Sequence, residues 1–341
     1  MTQRLHWQVL AERSARSGAV SGLLFLATSG CSKPLDSFNP VTPQGRAISA
    51  LFIQVMALSA LVLLAVTALI FYVLTRYRAG RDEREPSEVE GRRGLEIAWT
   101  ILPAVLLGGL FVLTLQTMNA VDAASPSALR VKVVGHQWWW EYQYPDLGIR
   151  TANELHLPTG APLKLEIEAA DVIHSFWVPQ FGWKRDAIPS RTNVMWVQVD
   201  QPGAYEGACT EYCGLQHAWM RVYVVAEGRE QFEAWAERQR EATTAAEAGP
   251  TMRGLQVLLQ NTCVNCHTVR GTPASGQLGP DLTHVGGRST LGAGVLPNTA
   301  QNMQRWIQDA QAIKPGALMP AYAALADEEL RALVDYLESL K

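Results

Sequence analysis

The chain has 341 residues, enough for two or three domains rather than one core. Its formal net charge of −3 leaves no basic footprint, which excludes nucleic acid as a partner. Hydrophobic content is 48% and mean hydropathy is near zero, but nearly all long apolar runs fall in residues 47–121 and the rest reads as soluble protein.

Residues 1–30 form a leader: Arg4, Arg13 and Arg16 precede the apolar stretch 19–27, and small residues lead to Cys31. Thr28-Ser29-Gly30-Cys31 resembles a bacterial lipobox with threonine where leucine is usual, so lipidation of Cys31 stands beside a plain signal peptide and an uncleaved leader. Residues 47–75 and 97–121 run without a charge, and at about 1.5 Å per residue each spans a hydrocarbon core of about 30 Å. The segment between them carries Arg76, Arg78, Arg81, Arg84, Arg92 and Arg93, whereas the outer flanks hold only Lys33, Arg46 and Arg130. The positive-inside rule puts that segment in the cytoplasm and everything after Val121 outside. The expected location is the bacterial inner membrane, with a transmembrane hairpin over 46–125.

Residues 126–228 change to short alternating segments, Leu129–Val134, Leu163–Ala169, Asn193–Val199 and Met220–Val225, separated by Pro145, Pro158, Pro189 and Pro202-Gly203. That spacing predicts an all-β sandwich or barrel. A helix over 228–240 and a small-residue linker over 241–250 follow. Residues 251–341 read as helices around Met252–Cys263, Thr299–Ala310 and Asp327–Leu340, the last with Asp327 as N-cap.

Four of the five cysteines form two close pairs, each followed by histidine, a spacing that points to metal or haem ligation. Between Cys209 and Met220 the chain holds Cys209, Cys213, His217 and Met220. Thiolate, thioether and imidazole together favour copper. Two cysteines can bridge two copper ions, leaving one histidine and one weak ligand for each. His174 is the candidate for the missing histidine; His136 and His156 read as structural. A Cys209–Cys213 disulfide would leave His217 and Met220 unexplained, and zinc would not call for Met220.

These residues carry a resemblance. Residues 47–226 resemble subunit II of the haem–copper oxidases, the cytochrome c oxidase type with a CuA centre. The likeness lies in 96–103 (EIAWTILP), 135–142 (GHQWWWEY), 171–179 (DVIHSFWVP), 184–191 (KRDAIPSR) and the copper loop. It implies a cupredoxin-like barrel with ligands His174, Cys209, Cys213, His217, Met220 and the backbone carbonyl of Glu211. It also implies a magnesium ion shared with subunit I through the Glu211 carboxylate, and electron arrival through Trp138. Glu96 matches a carboxylate at the mouth of a proton path into subunit I. Quinol-oxidase relatives lack the copper ligands, which argues against quinol as donor.

Cys263-Val-Asn-Cys-His267 is the attachment motif for haem c, with His267 as proximal ligand. Among distal candidates, Met319 lies in a loop held by Pro315 and Pro320, Met303 reads as packing, and His284 is a further option. Met/His ligation raises the haem potential. The tail resembles class I cytochrome c domains, in the version fused to subunit II of caa3-type oxidases, which implies a hydrogen bond from His267 to the Pro280 carbonyl. Its seven basic and seven acidic residues balance, so long-range steering of a donor is weak.

The expected fold class is thus a multidomain membrane protein: a two-helix transmembrane hairpin, an all-β cupredoxin-like CuA domain and an all-α class I cytochrome c domain. The expected function is subunit II of a caa3-type oxidase, working with subunits I and III and an exported cytochrome c-type donor. The 241–250 linker would let the haem domain dock near Trp138. A CuA subunit of a nitric oxide reductase and a stand-alone membrane electron carrier are the alternatives.

Overall fold

The computed structural model of the protein describes residues 36–78, 91–242 and 250–341. The leader, Cys31, Arg81, Arg84 and most of the 241–250 linker lie outside the described residues.

Two helices, Pro43–Arg76 and Arg93–Val121, pair as a hairpin and are apolar along their membrane-length windows. The first starts on a favourable cap: Pro43 opens the helix, and the Thr42 hydroxyl accepts from the Gly45 amide at 2.8 Å. Leu61, Leu63, Leu64, Leu69 and Phe71 point outward without protein cover, as lipid-facing side chains do. Both outer ends are fastened to the β domain. Thr42 donates to the Phe181 carbonyl at 2.8 Å, Arg46 pairs with Asp200, and Arg185 pairs with Asp122 at 2.9 Å. The arginine-bearing ends at residues 76–78 and 91–93 therefore lie at the far end of the hairpin from that domain.

The β domain is a sandwich of two five-stranded sheets. One runs β3-β2-β1-β5-β8, from Ile149–Ala152, Trp139–Tyr144, Leu129–His136, Pro162–Ala169 and Asn193–Gln198. The other runs β4-β10-β9-β6-β7, from Glu154–Pro158, Arg221–Glu227, Gly203–Cys209, His174–Trp177 and Lys184–Ala187. Alternate residues of the strands, among them Val131, Val133, Leu163, Leu165, Ile167, Val222 and Val224, fill the space between the sheets. Met220 lies just before β10 rather than in it, and His174 opens a strand of the second sheet.

The helix Arg229–Arg240 closes one side of the sandwich. Trp235 stacks on His156 at 4.3 Å and meets Tyr144 edge-on at 5.4 Å. The tail has its own core, in which Val257, Leu258, Met303, Ile307, Leu333 and Leu337 pack between Pro250–Gln260, Ala300–Gln308 and Asp327–Ser339. Asp327 is not the N-cap of the last helix. Ala326 holds that place with no side-chain bond, and Asp327, Glu328 and Glu329 form the first turn, where negative charge suits the helix dipole.

Candidate metal and haem sites

The turn after β9 returns the chain to β10 past a short helical turn, His217–Trp219, and folds its sulfur and imidazole groups inward. Cys209 Sγ lies 3.8 Å from Cys213 Sγ, 3.9 Å from His174 Nδ1 and 3.3 Å from the Glu211 carbonyl oxygen. Cys213 Sγ lies 3.7 Å from His217 Nδ1 and 3.9 Å from Met220 Sδ. His174 and Met220 are fully buried. Six donors surround one small volume, two of them thiols close enough to bridge a pair of ions, and the set suits a soft cation.

The hydrogen bond between the thiols pulls Cys209 well below the usual thiol range and pushes Cys213 well above it. Burial alone would lower His174, but the Asp171 carboxylate, 2.8 Å from Nε2, and the Cys209 thiol hold it above its ordinary value. With Nε2 committed to Asp171, the Nδ1 lone pair is the one offered to the sulfurs. Asp171 is an orienting residue that motif reading passed over. Its signal was its position three residues before the histidine. Gly135 makes room for the same imidazole, since a Cβ there would sit 2.8 Å from His174 Cδ2.

Trp138 belongs to this cluster: its indole N–H donates to the Cys213 carbonyl at 2.9 Å, beside the Gln137 amide at 2.7 Å on the same oxygen. The Glu211 carboxylate points outward and is half-exposed, 4.0 Å from Lys184 Nζ. Glu96 sits in the first turn of the second long helix, at the end of the hairpin away from the β domain, so the structure does not bring it to the thiols. His136 Nε2 lies 3.5 Å from the Glu141 carboxylate and His156 Nδ1 lies 3.1 Å from the Glu227 carboxylate, away from the thiols.

In the tail, Cys263–Cys266 form one helical turn and His267 follows in extended backbone. His267 Nδ1 donates to the Pro280 carbonyl at 2.8 Å, leaving Nε2 free for iron. Gly279 permits that close approach, because a Cβ there would lie 2.6 Å from His267 Cε1. Burial holds the imidazole below its ordinary value. Both thiols are unpaired, and Met319 packs half-buried against the tail's core. Met303 is buried core. His284 is engaged on both ring nitrogens, Nδ1 against the Lys341 carbonyl at 3.0 Å and Nε2 against the Arg270 guanidinium at 3.1 Å, which removes it from the distal choices. These residues fit a covalent haem.

The chain matches three family descriptions in order: "Cytochrome C oxidase subunit II, transmembrane domain" over residues 38–117, "Cytochrome C oxidase subunit II, periplasmic domain" over 148–227, and "Cytochrome c" over 251–341. It is 36% identical to "Cytochrome c oxidase subunit 2" of Alkalihalophilus pseudofirmus, across 93% of this chain and 95% of that one. To the protein of the same name from Bacillus subtilis it is 31% identical across 98% of both.

Proposed function

Because this chain belongs to the cytochrome c oxidase subunit 2 family, in the form that ends in a cytochrome c domain, we propose that it is subunit II of a caa3-type oxidase. In this reading the chain is set in a bacterial inner membrane beside subunits I and III. It takes electrons from an exported cytochrome c-type donor and delivers them to subunit I, where oxygen is reduced to water.

The observation that carries this reading is the convergence of His174, Cys209, Glu211, Cys213, His217 and Met220 on one volume, touched by Trp138. When bound, a copper pair there and one haem c in the tail supply one-electron carriers.

The chain's own groups do the rest. The two thiols would release their protons to solvent and hold a soft cation as thiolates, and burial of Cys209, Cys213 and Met220 excludes water from the sulfurs. Asp171 orients His174, and the Pro280 carbonyl holds His267 Nδ1, so that Nε2 is the atom that would be offered to a haem iron. Met319 would hold the haem as its second protein ligand. Trp138 joins the protein surface to the Cys213 carbonyl by one hydrogen bond. The half-exposed Glu211 carboxylate, beside Lys184, would reach a magnesium ion at the subunit I boundary, and Glu96 would lie at the opposite face of the membrane for proton uptake.

The test is metal analysis and spectroscopy of the purified full-length protein. Two coppers per chain with haem c bands are expected. One copper, or zinc in its place, rules the dinuclear assignment out.

A further inference from the structure

The haem domain is seated on the β domain through two buried charged side chains, one from each side. Lys314, 4% exposed, comes from the loop that leads to Met319. Its ammonium donates to the carbonyls of Trp138 at 2.8 Å and Trp219 at 3.1 Å in the β domain, and of Gly292 at 2.8 Å in its own. Three acceptors match the three N–H bonds of an ammonium, and a neutral amine could serve only two. Burial works the other way, pulling the group down to about 7, so the charged form in this place depends on those carbonyls.

Glu154, 3% exposed, makes the reciprocal contact from β4. Its Oε1 accepts from the backbone amides of Ser289 at 2.7 Å and Thr290 at 2.9 Å in the haem domain. Between these points Gln216 donates to the Pro315 carbonyl and the Arg221 amide to the Ala293 carbonyl. Gly316, with φ +91°, lets the loop come down beside the copper turn: a Cβ there would lie 3.0 Å from Leu215 Cδ1 and 3.7 Å from Trp138 Cη2. Lys314 thus grips the carbonyl of the residue whose indole bonds the Cys213 carbonyl, and does so five positions before Met319.

We propose that Lys314 and Glu154 are positioning residues for electron transfer from haem to copper, fixing the haem domain so that residues 314–316 occupy the ground beside Trp138 and an outside donor reaches the chain through the haem domain. The inference rests on the reading of the two centres above, although the dock itself does not. Both grips are buried and made largely to neutral backbone groups, so transfer between the domains should be insensitive to ionic strength, unlike docking through exposed ion pairs.

The experiment uses the purified oxidase complex carrying Lys314→Met, Glu154→Ala or Glu154→Gln. The first reading is hydrogen exchange at the Ser289 and Thr290 amides. About tenfold faster exchange is expected in Lys314→Met, although Lys314 touches neither amide, because the dock opens as a unit. The second is the rate of haem-to-copper transfer after flash reduction of the haem. A fall of roughly tenfold or more is expected in Lys314→Met and Glu154→Ala with the haem bands and potential unchanged, since small misplacements of reacting groups cost large factors in rate. Glu154→Gln keeps an acceptor oxygen and should restore most of it. Wild-type transfer rates in both Lys314→Met and Glu154→Ala would overturn the positioning role, whether or not exchange changes. Wild-type exchange in both would overturn the dock. A wild-type complex without copper would sink the proposed function instead, and exchange would still decide the dock.

Discussion

Two carboxylates, one partly exposed and one buried, show how single residues hold the sandwich and its cluster in shape. Asp171 bonds His174 Nε2 and also accepts the Gln137 backbone amide at 2.7 Å, tying the imidazole to the turn that carries Trp138. Asp171→Ala should weaken copper binding by about 10- to 100-fold, the usual cost of losing a residue that orients a metal-bound histidine. Competition with a chromophoric chelator on the solubilised protein would measure it, and unchanged affinity would rule out the orienting role. Glu141 is buried, which alone would raise its carboxyl. The His136 imidazole, the Arg150 guanidinium at 2.8 Å and the Gln143 amide outweigh that and hold it at about 2, against 4.5 when unfolded. A depressed carboxyl stabilises the fold above its unfolded value and loses that contribution as pH falls. Stability should therefore decline between pH 4.5 and about 2, and Glu141→Gln should flatten the decline in acid unfolding followed by tryptophan fluorescence.

Among the elements, the helix Arg229–Arg240 links the β domain to the tail, and its only large apolar side chains are Phe232 and Trp235. Trp235 is 6% exposed and stacks on His156, so the element's attachment depends heavily on one ring. Trp235→Ala should cost about 3–5 kcal/mol by cavity formation and lost burial. A drop in the thermal unfolding midpoint with haem attachment retained would confirm that the helix is a strut. No change would mean that Phe232 alone anchors it. The short strands were harder to read than this helix. Ile149–Ala152, His174–Trp177 and Lys184–Ala187 have four residues each, too few for an alternating pattern to stand out from the turns around them.

For the whole molecule, the two hairpin ends fastened to the β domain set the topology, and the arginines at the far end give it a side. A cysteine placed at Arg78 should react with an impermeant maleimide only in inside-out vesicles. Labelling from the outer face would invert the assigned orientation. The same frame holds the Cys209–Met220 cluster and the tail domain on one side of the hairpin.

Residues close together in the chain were legible without a structure. Cys209 to Met220 and Cys263 to His267 announce their chemistry because ligand softness belongs to the side chain and their spacing is local. The two long apolar runs are equally plain, since a span needs only length and the absence of charge. Local reading nominated His174, and the resemblance added Trp138. Tertiary structure alone placed them: His174 stands 35 positions from Cys209, and Trp138 stands 75 from the carbonyl it bonds. It alone also paired Lys314 with Trp138 across 176 positions, and Glu154 with the amides of the haem domain. A lone lysine or glutamate reads as a solvated surface charge. Whether it is buried, and against which carbonyl or amide, depends on which faces two separately folded cores press together, and no local pattern records that.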